Sequence, residues 1–215
     1  AHRMIAAHRQ DGQPRDLPVM NLQTWGIVPV NGHFGLAPLS KIEPPMVLRS
    51  TAFSHLMNRL GAPADFVRER LPEPLQLATT NYLLQCCERG VPTLLRLRGD
   101  QIAAVVSDRY APLDLEELLG TVRDVLVRQA AISDVEVRSF ATGVTDVFRM
   151  VFPATQTPVK VGDISALGID ISSSSFARSA LHVRGLVWRL KCTNGLRVGE
   201  STGAFSFRHV GDSRR

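Results

Sequence analysis

The period of apolar positions along this chain changes twice. Up to residue 46 they come as short pieces between Pro and Gly, such as Trp25-Gly26-Ile27-Val28, with turn signals at Asn31-Gly32 and Pro44-Pro45. Residues 1–46 therefore read as an irregular N-terminal arm or first hairpin. From 47 to 91 the spacing is helical. Ser50 stands where an N-cap belongs, Ala52, Phe53, Leu56, Met57 and Leu60 follow on one stripe, and Gly61 stops the run. Pro63 opens a short helix with Phe66 and Val67 that ends near Pro72. Pro74 opens a third, with Leu75, Ala78, Tyr82 and Cys86 on one stripe and Gly90 at its close. These three helices form an N-terminal helical lobe.

Beyond residue 92 alternation takes over. Thr93–Arg98 and Gln101–Ser107 are strand-like runs joined across Gly99-Asp100, a two-residue hairpin signal. Leu95 and Leu97 share one face of the first run, and Arg96 and Arg98 share the other, read as exposed. Asp114, with Glu117 three residues on, is an Asp variant of the capping box. The helix it opens carries Leu115, Leu118, Leu119, Val122 and Leu126 along one face, the best amphipathic segment of the chain. Strands follow at Val135–Phe140, Val144–Phe152, Gly168–Ile171, Leu181–Lys191 and Ala204–Val210. The pattern predicts an α+β fold with a β-β-β-α-like core. The helix over 115–128 packs on an antiparallel sheet that contains both 93–107 and 181–191. Residues 92–215 form this α+β core, and arm, lobe and core make one compact domain.

Composition narrows the class. A chain of 215 residues, 44% hydrophobic and 21% charged, is ordinary for a soluble globular protein and excludes collagen-like, coiled-coil and wholly disordered readings. No apolar run approaches the roughly 18 residues that a membrane span needs. Residues 1–16 are too polar for a signal-peptide core. The first residue is not Met and the chain stops at Ser213-Arg214-Arg215, which fits a fragment or a processed chain. Three cysteines, two of them adjacent at 86 and 87, make no disulfide framework and read as reduced thiols in a cytoplasm.

Charge points to a partner class. Of 25 basic residues only Lys41, Lys160 and Lys191 are lysines, and the net charge is +5. Guanidinium forks bind phosphate in bidentate fashion, so an Arg-rich basic chain invites a nucleic-acid reading. A GC-rich genome, which replaces Lys by Arg throughout, yields the same composition. Catalytic and cofactor motifs are missing: no phosphate-binding loop, no dinucleotide fingerprint, no nucleophile elbow and no H-E-x-x-H. No C-x-x-C occurs, and the six histidines lack ligand spacing, so no metal, cofactor or catalytic residue is assigned. None of the lysines follows an acid at the spacing of metal-dependent nucleases. Arg98-Gly99-Asp100 spells an adhesion tripeptide but reads as a turn. Cys192, before Thr193-Asn194-Gly195, reads as a small residue ending a strand, and Trp188 as core.

Three ordered segments resemble a known family. They are Ser107-Asp108-Arg109-Tyr110-Ala111-Pro112-Leu113-Asp114 with its capped helix, Ser172–Ser175 leading through Ala180-Leu181 to Trp188–Leu196, and Ala52–Pro72 with Leu60-Gly61-Ala62-Pro63. Together, over about residues 20–210, they resemble the phage- and plasmid-type family catalogued as domain of unknown function nine hundred and thirty-two. The chain stops where that family's pattern leads one to expect further C-terminal helices. The family is distantly similar to single-strand annealing proteins of the Rad fifty-two kind. That resemblance implies an ATP-independent, ring-forming protein that holds single-stranded DNA in a basic groove.

The function expected is therefore single-stranded DNA binding and annealing in phage- or plasmid-type recombination or repair, by a cytoplasmic homo-oligomer. The candidate groove residues are Arg96 and Arg98 on one strand, and Arg189 and Lys191 at the end of the longest strand. Arg109, Tyr110, Arg178 and Arg184 are further candidates. Two other classes compete: an oligomeric structural or accessory protein that touches only protein, and an enzyme with a dispersed site.

Overall fold

The computed structural model describes residues 14–128, 135–141, 145–160, 163–190 and 197–210. It is α+β, with three antiparallel sheets. The chain divides into two compact units between Tyr110 and Ala111. The change of period near residue 92 suggested a different boundary. Strands 93–98 and 101–107 belong with the helical lobe, and residues 14–46 of the segment read as an arm are built into the same unit.

In the first unit β1 (Pro14–Val19) pairs antiparallel with β5 (Thr93–Arg98), which pairs with β6 (Gln101–Ser107). A second sheet is the hairpin β2 (Trp25–Val30) and β3 (His33–Pro38), with the short β4 (Met46–Val47) beside it. The predicted Asn31-Gly32 turn joins the hairpin, with φ of 48° and 76°. That left-handed pair is what a two-residue turn needs to match the strand twist. Gly35 is required by crowding, since a Cβ there would meet Val30 Cγ2 at 2.6 Å and Pro45 Cβ at 2.9 Å. A parallel bridge between Leu48 and Ile102 links the two sheets.

Three helices follow the predicted order: α1 (Ser50–Arg59), α2 (Ala64–Arg70) and α3 (Glu73–Cys86). Arg49, not Ser50, is the N-cap of α1. Ser50 instead accepts a hydrogen bond from Arg68 Nη1 at 2.9 Å. Ala52, Phe53, Leu56 and Met57 are buried as their spacing predicts, and Phe53 stacks at 5.5 Å on Phe34 of β3. They meet Leu36, Leu95, Leu97 and Ile102 in one core. The stripe picked out on α3 is its outer face. Leu75, Ala78, Tyr82 and Cys86 are exposed, while Thr80 and Leu84 are buried. The inward face mixes apolar and polar groups: Leu77, Leu83 and Leu84 join the core, Thr80 satisfies its hydroxyl on the Gln76 carbonyl, and Asn81 serves a backbone. Arg59 closes the lobe onto β5, donating to Thr93 Oγ1 at 2.9 Å and to the Pro92 carbonyl at 2.6 Å. Its burial lowers the guanidinium pKa, against the opposing field of Asp108.

The second unit holds α4 (Leu115–Arg128) and a five-stranded sheet in the order β11 (Arg197–Phe207), β10 (Leu181–Leu190), β9 (Asp163–Ser173), β8 (Asp146–Lys160), β7 (Glu136–Ala141). Leu118 packs on Phe148, Met150 and Ile171, with Leu119 and Val122 partly buried beside it. The side chains of Leu115 and Leu126 lie outside the described residues. The helix thus packs on the sheet that contains 181–190, as expected, but 93–107 belongs to another sheet. No helix among the described residues is long and apolar enough to cross a membrane.

Truncating Leu56, which is fully buried, should cost about 2–5 kcal/mol through lost transfer energy and a residual cavity. Leu75→Ala on the outer face of α3 should cost under about 0.5 kcal/mol. Urea denaturation of the two variants checks which face of α3 and α1 makes the core.

Candidate nucleic-acid interface

The structure separates the predicted basic residues into buried and exposed groups. Arg96 is 1% exposed and Arg98 is 4% exposed, so the face of β5 that they share is not a solvent face. Ala104 and Val106 of β6, on the same side, are buried too. Arg96 Nη1 donates to both carboxylate oxygens of Asp16, at 2.8 and 3.0 Å. Its guanidinium also lies 5.9 Å from the ring centre of Tyr110. A charge withdrawn from water must be paired, and this one is committed to a carboxylate and a ring face. Arg96, Arg98 and the buried Tyr110 are structural. They do not form a phosphate-tracking surface. The Arg98-Gly99-Asp100 tripeptide is a turn, as its sequence suggested, and Gly99 takes a φ of 63°.

The other candidates divide as follows. Arg109 is exposed in the turn after β6. Arg178 and Arg184 are exposed, the first in the turn between β9 and β10 and the second on β10. Arg189 lies in β10 but its side chain is outside the described residues, and Lys191 lies outside them altogether.

On the second unit's sheet, the register assembles a basic end that sequence reasoning saw only in part. Arg184 of β10 stands opposite Asp170 of β9, which stands opposite Arg149 of β8. Alternation places this row on the face away from α4, since Phe148 and Ile171 carry the helix side. Arg149 Nη2 reaches Asp170 Oδ2 at 3.5 Å, so one carboxylate serves a row with two guanidiniums. Arg208, the residue that follows β11, is exposed. Leu186 and Val151, further along that face, are buried. The exposed part of the face is therefore the end with Arg184, and exposed Arg178 and Arg208 stand in the segments just beyond the strands. Arg149 and Arg208 were not identified from sequence. The signal for Arg149 was the cross-strand register, which alternation within one strand does not reveal.

Catalytic groups are sparse. Ser173 Oγ and His209 Nε2 lie 3.5 Å apart, and Asp146 is the register partner of Ser173. Ser–His–Asp chemistry needs a reachable hydroxyl within hydrogen-bond distance of the imidazole. Ser173 is 2% exposed, and 3.5 Å is too long for that activation. The contact instead ties the end of β11 to β9. Cys86 is exposed and Cys87 half-buried, both free thiols. Burial raises the Cys87 pKa, and its Sγ donates to the Leu84 carbonyl at 3.0 Å. Among the described residues no group of three or more His, Cys, Asp or Glu is placed to hold a metal.

Removing the partner of Arg96 tests its structural assignment. Asp16→Ala should destabilise the fold by about 1–3 kcal/mol, because a buried guanidinium loses its charged acceptor. The folded variant should keep the wild-type affinity for a labelled oligonucleotide. Thermal or urea unfolding with fluorescence anisotropy reads both. Comparisons with family models, curated proteins and solved structures find no match to this chain.

Proposed function

We propose that this protein binds single-stranded DNA without sequence preference and promotes annealing, without ATP, in recombination or repair of the phage or plasmid kind. The observation that carries the reading is the set of exposed arginines at one end of the second unit's sheet: Arg184 on β10, opposite Asp170 of β9, with Arg178 in the preceding turn and Arg208 just past β11. Guanidiniums spaced along a sheet face grip phosphates, and leave the bases of a single strand free to pair. The role requires no bond to be made or broken, and it draws on an Arg-dominated charge of +5. The competing reading, an oligomeric accessory protein that touches only protein, draws on the exposed phenyl rings at the end of β11.

Binding should prefer single strands and weaken steeply with salt, because each neutralised phosphate of a single strand releases about 0.7 of a counterion. Arg184→Glu should lower affinity and flatten the salt slope by about one unit, with the circular dichroism spectrum unchanged. Fluorescence anisotropy with a labelled oligonucleotide across a salt series measures both. Absence of binding at low salt, where the electrostatic attraction is greatest, would overturn the proposal in favour of the protein-only role.

A further inference from the structure

Strand edges in the first unit are closed by identifiable devices. β1 carries Pro14 and Pro18, which have no N–H to offer another strand. The edge of β2 is taken by a side chain, since Asn81 of α3 accepts from Ile27 N–H at 2.8 Å and donates to the Ile27 carbonyl at 3.0 Å. β6 is bridged by Leu48, and its Ile102 carbonyl accepts from the Arg49 amide. From Ala204 to Phe207 the outer described strand of the second unit shows none of these among the described residues. β11 is an edge strand, and from Ala204 to Phe207 it carries no proline and no charge.

The same segment is exposed on both faces. Phe205 and Phe207 stand opposite Val183 and Leu181 of β10, on the side that α4 covers further in. The helix covers Phe148 and Ile171 but leaves the two rings of β11 at 68% and 57% exposure. Solvated phenyls on an uncharged edge strand are the combination that natural sheets avoid unless a partner strand is to be received.

We infer that Ala204–Arg208 is a self-association surface, pairing antiparallel with the same segment of a second copy about a two-fold axis at Ser206. The sequence selects that occupant. In this register Phe205 faces Phe207 of the second copy and Phe207 faces its Phe205, which gives two cross-strand aromatic pairs on one face. Ser206 meets itself, and Arg208 faces the small Ala204, so no like charges are directly opposed. The segment is bounded at its C-terminal end, where the Val210 amide turns back to the Arg208 carbonyl and Ala111 donates to the His209 carbonyl. An isologous pairing uses the same edge of both copies, so it closes at two and does not propagate. The exposed area of the two rings is about 250 Å² per copy, taking about 200 Å² for a phenylalanine. That is well below the roughly 800 Å² per partner of a standard stable interface. The dimer is therefore weak.

Sedimentation velocity from about 1 to 200 μM at moderate salt tests the proposal. The mass should rise from monomer towards dimer and stop there. Phe205→Lys should shift the midpoint at least tenfold to higher concentration. Ser206→Lys, which places two ammonium groups at the axis from an exposed position, should do the same if Phe205→Lys fails to fold. Ser206→Cys should form an intermolecular disulfide under mild oxidation, faster than wild type, whose three cysteines set the background. Ala204→Cys, with its two copies four residues apart in register, should not exceed that background. A protein monomeric throughout, a mass growing beyond dimer, self-association untouched by both lysine variants, or Ser206→Cys no faster than Ala204→Cys would each overturn the two-fold pairing.

Discussion

The buried guanidinium of Arg96 constrains the first unit more than any other single group. It sits on the middle strand of a three-stranded sheet with almost no contact with water, and its charge has to be met there. Asp16 meets it only because β1 lies antiparallel to β5 with those two residues in register. A slip of one residue would bring Arg15 or Leu17 opposite Arg96 and turn the carboxylate to the other face. The ion pair therefore fixes the position of a strand that hydrophobicity alone would hold loosely, since β1 contributes only Leu17 and Val19 to the core. The same register settles β1 as an edge. Pro14, Asp16 and Pro18 share one parity, and prolines are tolerated in a strand where the missing N–H faces outward.

That interaction also marks where reading along the chain stops being informative. Alternation in β5 correctly separated Leu95 and Leu97 from Arg96 and Arg98. It carried no information about whether the second face meets solvent, because the group that neutralises Arg96 lies 80 residues away. Turn chemistry was legible at Asn31-Gly32 and at Gly99, since the backbone requirement sits in the residues themselves. The helical stripe of α1 was legible for the same reason. In α3 the apolar stripe misled, because Thr80 and Asn81 satisfy their polar groups inside and leave Leu75 and Tyr82 outside. Membership of strands in sheets was not legible. The runs at 93–107 and 181–191 look alike locally, and only pairing partners distant in sequence assign them to different sheets.

The candidate interface shows a similar division. Exposed Arg178 and Arg184 were identified by residue type, whereas Arg149 joins Arg184 only through register with Asp170. Two physical demands meet on this sheet. α4 covers Phe148, Met150 and Ile171, which lets the opposite face be polar at one end. A fourteen-residue helix is about 21 Å long and about 10 Å wide. Strands are spaced about 4.8 Å apart, so one helix shields two or three of them. Five strands exceed that width, and the uncovered margin is where Phe205 and Phe207 stand.

The proposed two-fold pairing and the proposed DNA binding act on one another through charge. In the paired sheet Ala204 lies between Arg184 of its own copy and Arg208 of the other, all on the face away from α4. The two guanidiniums are thus separated by two strand spacings, about 9–10 Å. That is close to the Debye length at 0.1–0.15 M salt, so their repulsion is partly screened under those conditions and grows on dilution of salt. Self-pairing then weakens at low salt while phosphate binding strengthens. A single strand laid across the joined faces relieves the repulsion, because its phosphates neutralise guanidiniums from both copies. The linkage follows from where the register puts the arginines: pairing through the phenyl face brings the two basic ends side by side, and a polyanion across them stabilises the pair that presents it.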